Sequence, residues 1–143
     1  MAKKIIKFEL VTPERVVLKK EIVQVTVPTE SGEITVLADH IPLVSILKPG
    51  VIELESAQEE IEIMSVSGGF IQVMRDKVVV LADTAEKAEE LDEKRIEEAR
   101  ERAEKRKKEA VNLDQVQFAK ISAQLDKELA RLKAVNRWRN IKG

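Results

Sequence analysis

The stretch Phe70-Ile71-Gln72-Val73-Met74-Arg75-Asp76-Lys77-Val78-Val79-Val80-Leu81-Ala82-Asp83-Thr84-Ala85-Glu86-Lys87-Ala88 decides the fold, because the chain changes alphabet inside it. Phe70, Gln72 and Met74 alternate with Ile71 and Val73, which is the two-residue period of a strand. Arg75-Asp76-Lys77 is a turn signal, and Val78-Val79-Val80-Leu81 predicts a central strand buried on both faces. Beyond Thr84 the branched residues stop. Residues 1–85 hold 29 Val, Ile and Thr, and residues 86–143 hold six. All four prolines and four of the five glycines lie in the first part, and none stands between Gly69 and Gly143. Branched side chains suit a pleated surface, and Gly and Pro punctuate turns, so their joint loss marks a passage from strands to helix. The charge divides at the same place: residues 1–85 carry 9 basic and 13 acidic side chains, and residues 86–143 carry 16 and 13.

Working back from that stretch, Val23, Val25 and Val27 face one way with Gln24 and Thr26 opposite, and Ile61 and Ile63 alternate with Glu60 and Glu62. Turn signals at Thr12-Pro13-Glu14, Glu30-Ser31-Gly32, Lys48-Pro49-Gly50 and Ser67-Gly68-Gly69 separate the runs. Short antiparallel strands at these intervals predict a two-sheet sandwich; a closed barrel uses the same alphabet. Working forward, Ala85, Ala88, Leu91, Ile96, Ala99, Ala103 and Ala110 fall on one helical face, while 19 of residues 86–109 are charged. Glu90 to Lys94, Glu98 to Arg102 and Glu101 to Lys105 have the favourable i,i+4 order. The pattern breaks at Asn112-Leu113-Asp114, where Asp114 and Gln117 read as an N-cap pair, and a second helix carries Phe118, Ile121, Leu125, Leu129 and Leu132. The expectation is an α+β chain: an antiparallel β-sandwich over residues 1–85, then a two-helix antiparallel hairpin over residues 86–143.

Composition removes several function classes. The full 143 residues carry 25 basic and 26 acidic side chains, so no bulk basic excess is available to neutralise nucleic-acid phosphates. Without cysteine there is no disulfide scaffold, thiol nucleophile or Cys-ligated zinc. The first ten residues lack the apolar block of a signal peptide, and no apolar run nears the ~20 residues of a membrane span. A soluble, cytoplasmic chain is expected. The single histidine, His40, has no nucleophile beside it and reads as a loop residue, and Ser67-Gly68-Gly69-Phe70 reads as a turn rather than a phosphate loop. No nucleophile, base and oxyanion arrangement is legible. Asp92 resists this plain reading, because it falls at the centre of the alanine arc with Arg95 and Arg106 along the edge. An ionised group on a packing face calls for a counter-charge, water or a ligand. Either Asp92 pairs with Arg95 at i,i+3, or a polar ligand enters the hairpin mouth, with Arg131, Lys133, Arg137 and Arg139 as cations from the second helix.

In order, Val11-Thr12-Pro13, Ser31-Gly32-Glu33, His40-Ile41-Pro42-Leu43-Val44, Ser67-Gly68-Gly69-Phe70, Ala82-Asp83-Thr84-Ala85-Glu86 and Leu91-Asp92-Glu93-Lys94-Arg95 resemble the epsilon subunit of bacterial F-type ATP synthase. The family often has Gly where this chain has Asp39. The resemblance implies a non-catalytic rotor subunit on the cytoplasmic side of the cell membrane, peripheral and not inserted. Its sandwich binds the gamma subunit and the c-ring, and the loops at Glu33, His40 and Pro42 match those used there. It implies a mobile hairpin that is compact against the sandwich or extended into the catalytic alpha/beta hexamer, where it blocks ATP hydrolysis. Arg100, Arg102, Lys105, Arg106, Lys107 and Lys108 would then meet acidic segments of the hexamer. Opened as continuous helix, some fifty residues span roughly 75–80 Å. Some members bind ATP in the compact hairpin. Here Leu91, Asp92 and Arg95 match that motif, Ile96 replaces its alanine, Glu86 has the spacing of an acidic contact, and Arg137 and Lys133 stand for two second-helix arginines. Two further readings stay open from the residues alone: a free-standing sandwich and coiled-coil adaptor, and a small hydrolase.

Overall fold

The computed structural model describes residues 3–110 and 114–142. Ten strands come first: β1 Ile6–Val11, β2 Val16–Ile22, β3 Gln24–Thr29, β4 Gly32–Leu37, β5 Leu43–Leu47, β6 Gly50–Glu55, β7 Ile61–Val66, β8 Gly69–Val73, β9 Lys77–Ala82 and β10 Ala85–Lys87. A single 3-10 turn, Ala88–Glu90, leads to α1 Glu93–Glu109 and α2 Gln115–Lys142. The strands pair in the order β10-β7-β6-β3-β5-β8-β9-β1-β2, with β4 on the free side of β3. Between β3 and β5 the path narrows to one pair, Thr29 with Leu47, and there the sheet folds over into two layers. All ladders are antiparallel except β1 with β9, which are parallel from Lys7–Lys77 to Val11–Leu81.

Alternation does the rest. Val25 and Val27 of β3, Ile52 and Leu54 of β6, Met64 and Val66 of β7, Ile71 and Val73 of β8, and Val78 and Val80 of β9 meet Ile6, Phe8 and Leu10 of β1 in one continuous core. This is the antiparallel sandwich the period-2 runs predict, since each strand hides one row and shows the other. Two details depart from expectation. β9 is central, between β8 and β1, but Leu81 is 52% exposed, so the strand is buried on one face only. The reason lies across the molecule: the helices cover the outer face of the other layer. There Ile63 of β7 and Val51 of β6 pack with Ala88, Ala134, Trp138 and Ile141. The Ile61/Ile63 alternation thus points away from the sandwich core, with Ile63 under α2.

Gly69 explains its place in the sequence. Its φ is +127°, and a Cβ there would lie 1.9 Å from the Leu81 carbonyl oxygen, so no other residue fits without moving β9. Asp39 has φ +64°, a left-handed conformation that Asp tolerates and Gly prefers.

The helical region begins later than its periodicity implies. Ala85–Lys87 pair with Met64–Val66 as a tenth strand, so a boundary at residue 86 falls inside the sheet. α1 starts only at Glu93, with Asp92 as its N-cap. At the head of α2, Asp114 Oδ1 accepts from the Gln117 amide at 2.8 Å, as the capping signal predicts; Asn112 and Leu113 lie outside the described residues. α1 and α2 pack antiparallel, but α1 buries only Ile96 and Ala103 within its length. On α2, Ile121 and Leu125 are buried as expected, whereas Phe118 and Leu129 are partly exposed, at 38% and 44%. The buried face drifts instead to Ala130, Ala134 and Val135, because this helix serves two neighbours, α1 and the β6–β7 surface. Among the described residues no helix is long and apolar enough to cross a membrane.

Candidate functional site: the mouth of the helical hairpin

Where the sandwich hands over to α1, a cleft of about 380 Å³ opens between β10, the start of α1 and the middle of α2. Glu86, Leu91, Asp92, Arg95 and Ile96 all line it, together with Arg102, Glu128 and Arg131. Five residues singled out along 11 positions of sequence are therefore brought together. Asp92 Oδ1 accepts from the amides of Lys94 at 3.1 Å and Arg95 at 3.3 Å. The carboxylate is thus occupied in starting the helix, with its charge at the positive end of the dipole, and not in pairing with the Arg95 side chain. Ile96 is buried against the hairpin interior.

The second-helix residues proposed for this cleft, Lys133 and Arg137, lie elsewhere. Arg137 Nε donates to Glu53 Oε1 at 2.8 Å, and this bond holds the guanidinium above its ordinary pKa. Lys133 lines the neighbouring grooves with Pro28, Glu33 and Gly50. Helix rotation is the cause. Lys133 is about 200° around the axis from Arg131, so the two cannot face one cleft. Arg131 takes the position instead. Its Nε donates to Glu86 Oε1 at 2.6 Å and its Nη1 to Glu128 Oε1 at 2.6 Å. Burial opposes the charge on Arg131, but the hydrogen bonds and charges of Glu86 and Glu128 outweigh it and raise the pKa. Glu128 is only 2% exposed; its Oε1 also accepts from Gln124 Nε2 at 2.8 Å, and its Oε2 has no partner among the described residues. No sequence signal distinguishes Glu128 from other helix-surface acids; only the packing reveals it.

The basic run on α1 is divided. Arg100 Nη1 donates to Glu104 at 2.8 Å, the one closed i,i+4 pair on this helix, rather than any of the three expected from sequence. Arg102 faces the cleft. Lys105, Arg106 and Lys108 are exposed, and Lys107 Nζ stands 5.7 Å from the Phe118 ring centre, a cation–π contact. Arg106, Lys107 and Lys108 occupy the last turn, where the helix dipole favours positive charge.

On the sandwich, Glu33 opens β4 beside α2, exposed, and its charge acts on Arg137. His40 lies at the other end of β4 in the loop before β5, its Nδ1 donating to the Ile41 carbonyl at 2.7 Å; Pro42 beside it is exposed. Asp39 in the same loop accepts from Lys4, which holds its carboxyl below the usual value. One feature went unread in the sequence. Across the uncovered layer, register sets Ile46 beside Phe70, Phe70 beside Leu81, Leu81 beside Val11, and Val11 beside Val16. With Val44 this makes an apolar row that is exposed except at the half-buried Val11. Scattered exposed apolar side chains are ordinary, whereas this row runs across five adjacent strands.

A ten-strand sandwich carries a two-helix hairpin on one layer and an apolar row on the other. The model of the ATP synthase delta/epsilon chain β-sandwich domain matches residues 5–88. The chain is 40% identical over 134 residues to the ATP synthase epsilon chain of Dichelobacter nodosus, covering 91% of this chain and 94% of that one. To the epsilon chain of Moorella thermoacetica it is 43% identical over 127 residues, covering 88% and 92%. In fold it is similar to a chain of the Euglena gracilis mitochondrial ATP synthase OSCP/F1/c-ring structure, with a TM-score of 0.73 at 22% identity, covering all of this chain and 84% of that one. The chain belongs to the family of ATP synthase epsilon chains.

Proposed function

We propose that the chain is a central-stalk subunit of the rotary ATP synthase, with the sandwich as coupling platform and the hairpin as a brake on ATP hydrolysis. The observation that carries this reading is the unequal covering of the two layers. One outer face is occupied by the chain's own α2 through a small cluster, and the other presents the bare row Val44, Ile46, Phe70, Leu81 and Val16. A permanent partner, the gamma subunit, takes the bare row. The hairpin face is closed by a contact small enough to be given up, after which the basic run Lys105–Lys108 reaches the acidic surfaces of the alpha/beta hexamer. The loops at Glu33 and around His40 and Pro42 serve the contacts with the c-ring and gamma.

A chain ending after Asp92 keeps the whole sandwich and loses both helices. Its assembled complex is expected to hydrolyse ATP faster than the full-length complex, while still binding the stalk; equal hydrolysis rates would remove the brake. Phe70→Asp is expected to abolish assembly while leaving the isolated chain folded.

Regulatory ATP belongs in the cleft at the hairpin mouth, with Arg95, Arg102 and Arg131 as its cations. A ligand bound only by the compact form stabilises it by about 2.7 kcal/mol at a hundredfold excess over Kd. ATP should raise the melting temperature of the isolated chain, and Arg95→Ala should remove the rise. A melting temperature unmoved by millimolar ATP would discard the sensor and leave the brake standing.

A further inference from the structure

We infer that Glu86, Arg131, Glu128 and Gln124 form a self-releasing clasp that holds the hairpin compact without any ligand. The inference rests on the proposed mobility of the hairpin, and it assigns that mobility to particular atoms.

Three of the four groups travel together. Gln124, Glu128 and Arg131 all belong to α2, and the two bonds among them, 2.8 Å and 2.6 Å, are one helical turn long and survive any rigid movement of that helix. Glu86 belongs to the sandwich, because its own backbone is paired with Ser65 in β10. The bond from Arg131 Nε to Glu86 Oε1 therefore joins the mobile element to the fixed one, and it is the only one of the three that opening must break. On release, Arg131 keeps Glu128 as counter-ion, and Glu86 is left at the surface where water solvates it. Neither fragment is stranded with a bare buried charge, which is the usual reason a buried ion pair resists separation.

Glu128 supplies the opposing push. Its side chain is buried, and one carboxylate oxygen has no hydrogen-bond partner among the described residues; such burial costs the compact form the hydration the group has lost. Opening restores that hydration. The clasp thus sets a favourable bridge, Arg131 to Glu86, against an unfavourable burial, Glu128 Oε2. An apolar residue at position 128 removes the push and keeps the bridge.

The test is amide hydrogen exchange on the full-length chain, with the β1 and β9 amides as an internal record of sandwich integrity. Arg131→Ala, which breaks the bridge and leaves the buried Glu128 without its counter-ion, is expected to speed exchange in α2 at least tenfold while β1 and β9 stay protected. Glu128→Leu is expected to slow α2 exchange at least tenfold, and the double variant to return it to wild-type rates or slower. A Glu128→Leu chain that exchanges as fast as wild type overturns the push, and an Arg131→Ala chain with unchanged α2 exchange overturns the bridge. Hydrolysis by the assembled complex separates this from the brake: exchange that follows the substitutions while hydrolysis ignores them supports the clasp and removes the brake alone.

Discussion

The sandwich and the hairpin bury residues in different ways. In the sandwich, large branched and aromatic side chains such as Phe8, Leu10, Ile52 and Ile71 are sealed between two layers joined by many ladders. On the hairpin side, the cluster with the sandwich is centred on alanines, Ala88 and Ala134, and a charged residue, Glu128, sits among the buried positions. Apolar stabilisation scales with area at about 25 cal/mol per Å². Alanines contribute little of it, so the hairpin side draws less on apolar area and more on ion pairs such as Arg131 with Glu86 and Arg137 with Glu53. The lesson is that one chain can join a densely packed platform to a thinly packed helical pair with no linker of special composition between them.

Substitutions can break this contrast or sharpen it. The largest effect is expected from Phe8→Ala, which empties the shared core and should lower global stability by about 4 kcal/mol, read as one cooperative transition in denaturant. Gly69→Ala comes next, at about 3 kcal/mol, because its Cβ collides with backbone rather than with a yielding side chain. Both should carry the whole molecule with them. Ala134→Leu is expected to cost about 2 kcal/mol by overpacking a site with no spare room, but locally. Exchange in α2 should rise while the sandwich transition stays in place, and a shift of the main transition would show that the two regions are one cooperative unit.

The smallest effect concerns Asp39, exposed and paired with Lys4. Its pKa is lowered by the Lys4 hydrogen bond first and the Lys4 charge second. A depressed carboxyl contributes stability that is present above the unfolded value of about 3.9 and is lost as pH falls through the lower folded value. Wild type and Asp39→Asn should therefore differ slightly in melting temperature at neutral pH and converge in acid. That effect belongs to the sandwich and should leave α2 exchange untouched.

The sandwich was legible because strand alternation is local: Val23, Val25 and Val27 carry their phase in three residues, and the structure buries all three. The hairpin was legible in kind and not in detail. Ala85-Glu86-Lys87 has no branched residue and continues a helical arc, yet it forms β10, since pairing with β7 satisfies its backbone and overrides weak propensity. The cleft residues from Glu86 to Ile96, before α1 and in its first turn, are legible because they lie close together in sequence. Of the four second-helix cations the sequence offers for the hairpin mouth, Arg131 lines the cleft and Lys133 and Arg137 do not, because which face of a long helix meets a cleft depends on packing at its far end. The apolar row from Ile46 to Val16 is invisible to any single strand, and appears only when five strands are set in register.

The tenth strand has a mechanical corollary. Because β10 is fastened to β7, the fulcrum of any swinging motion lies beyond Lys87, in the few residues before the Asp92 cap. The azimuth of α1 is then fixed at its root. Adding one residue inside the first turn of that helix would rotate everything downstream by about 100°, turning the lysine and arginine side away from whatever it is aimed at without altering a single contact in the platform.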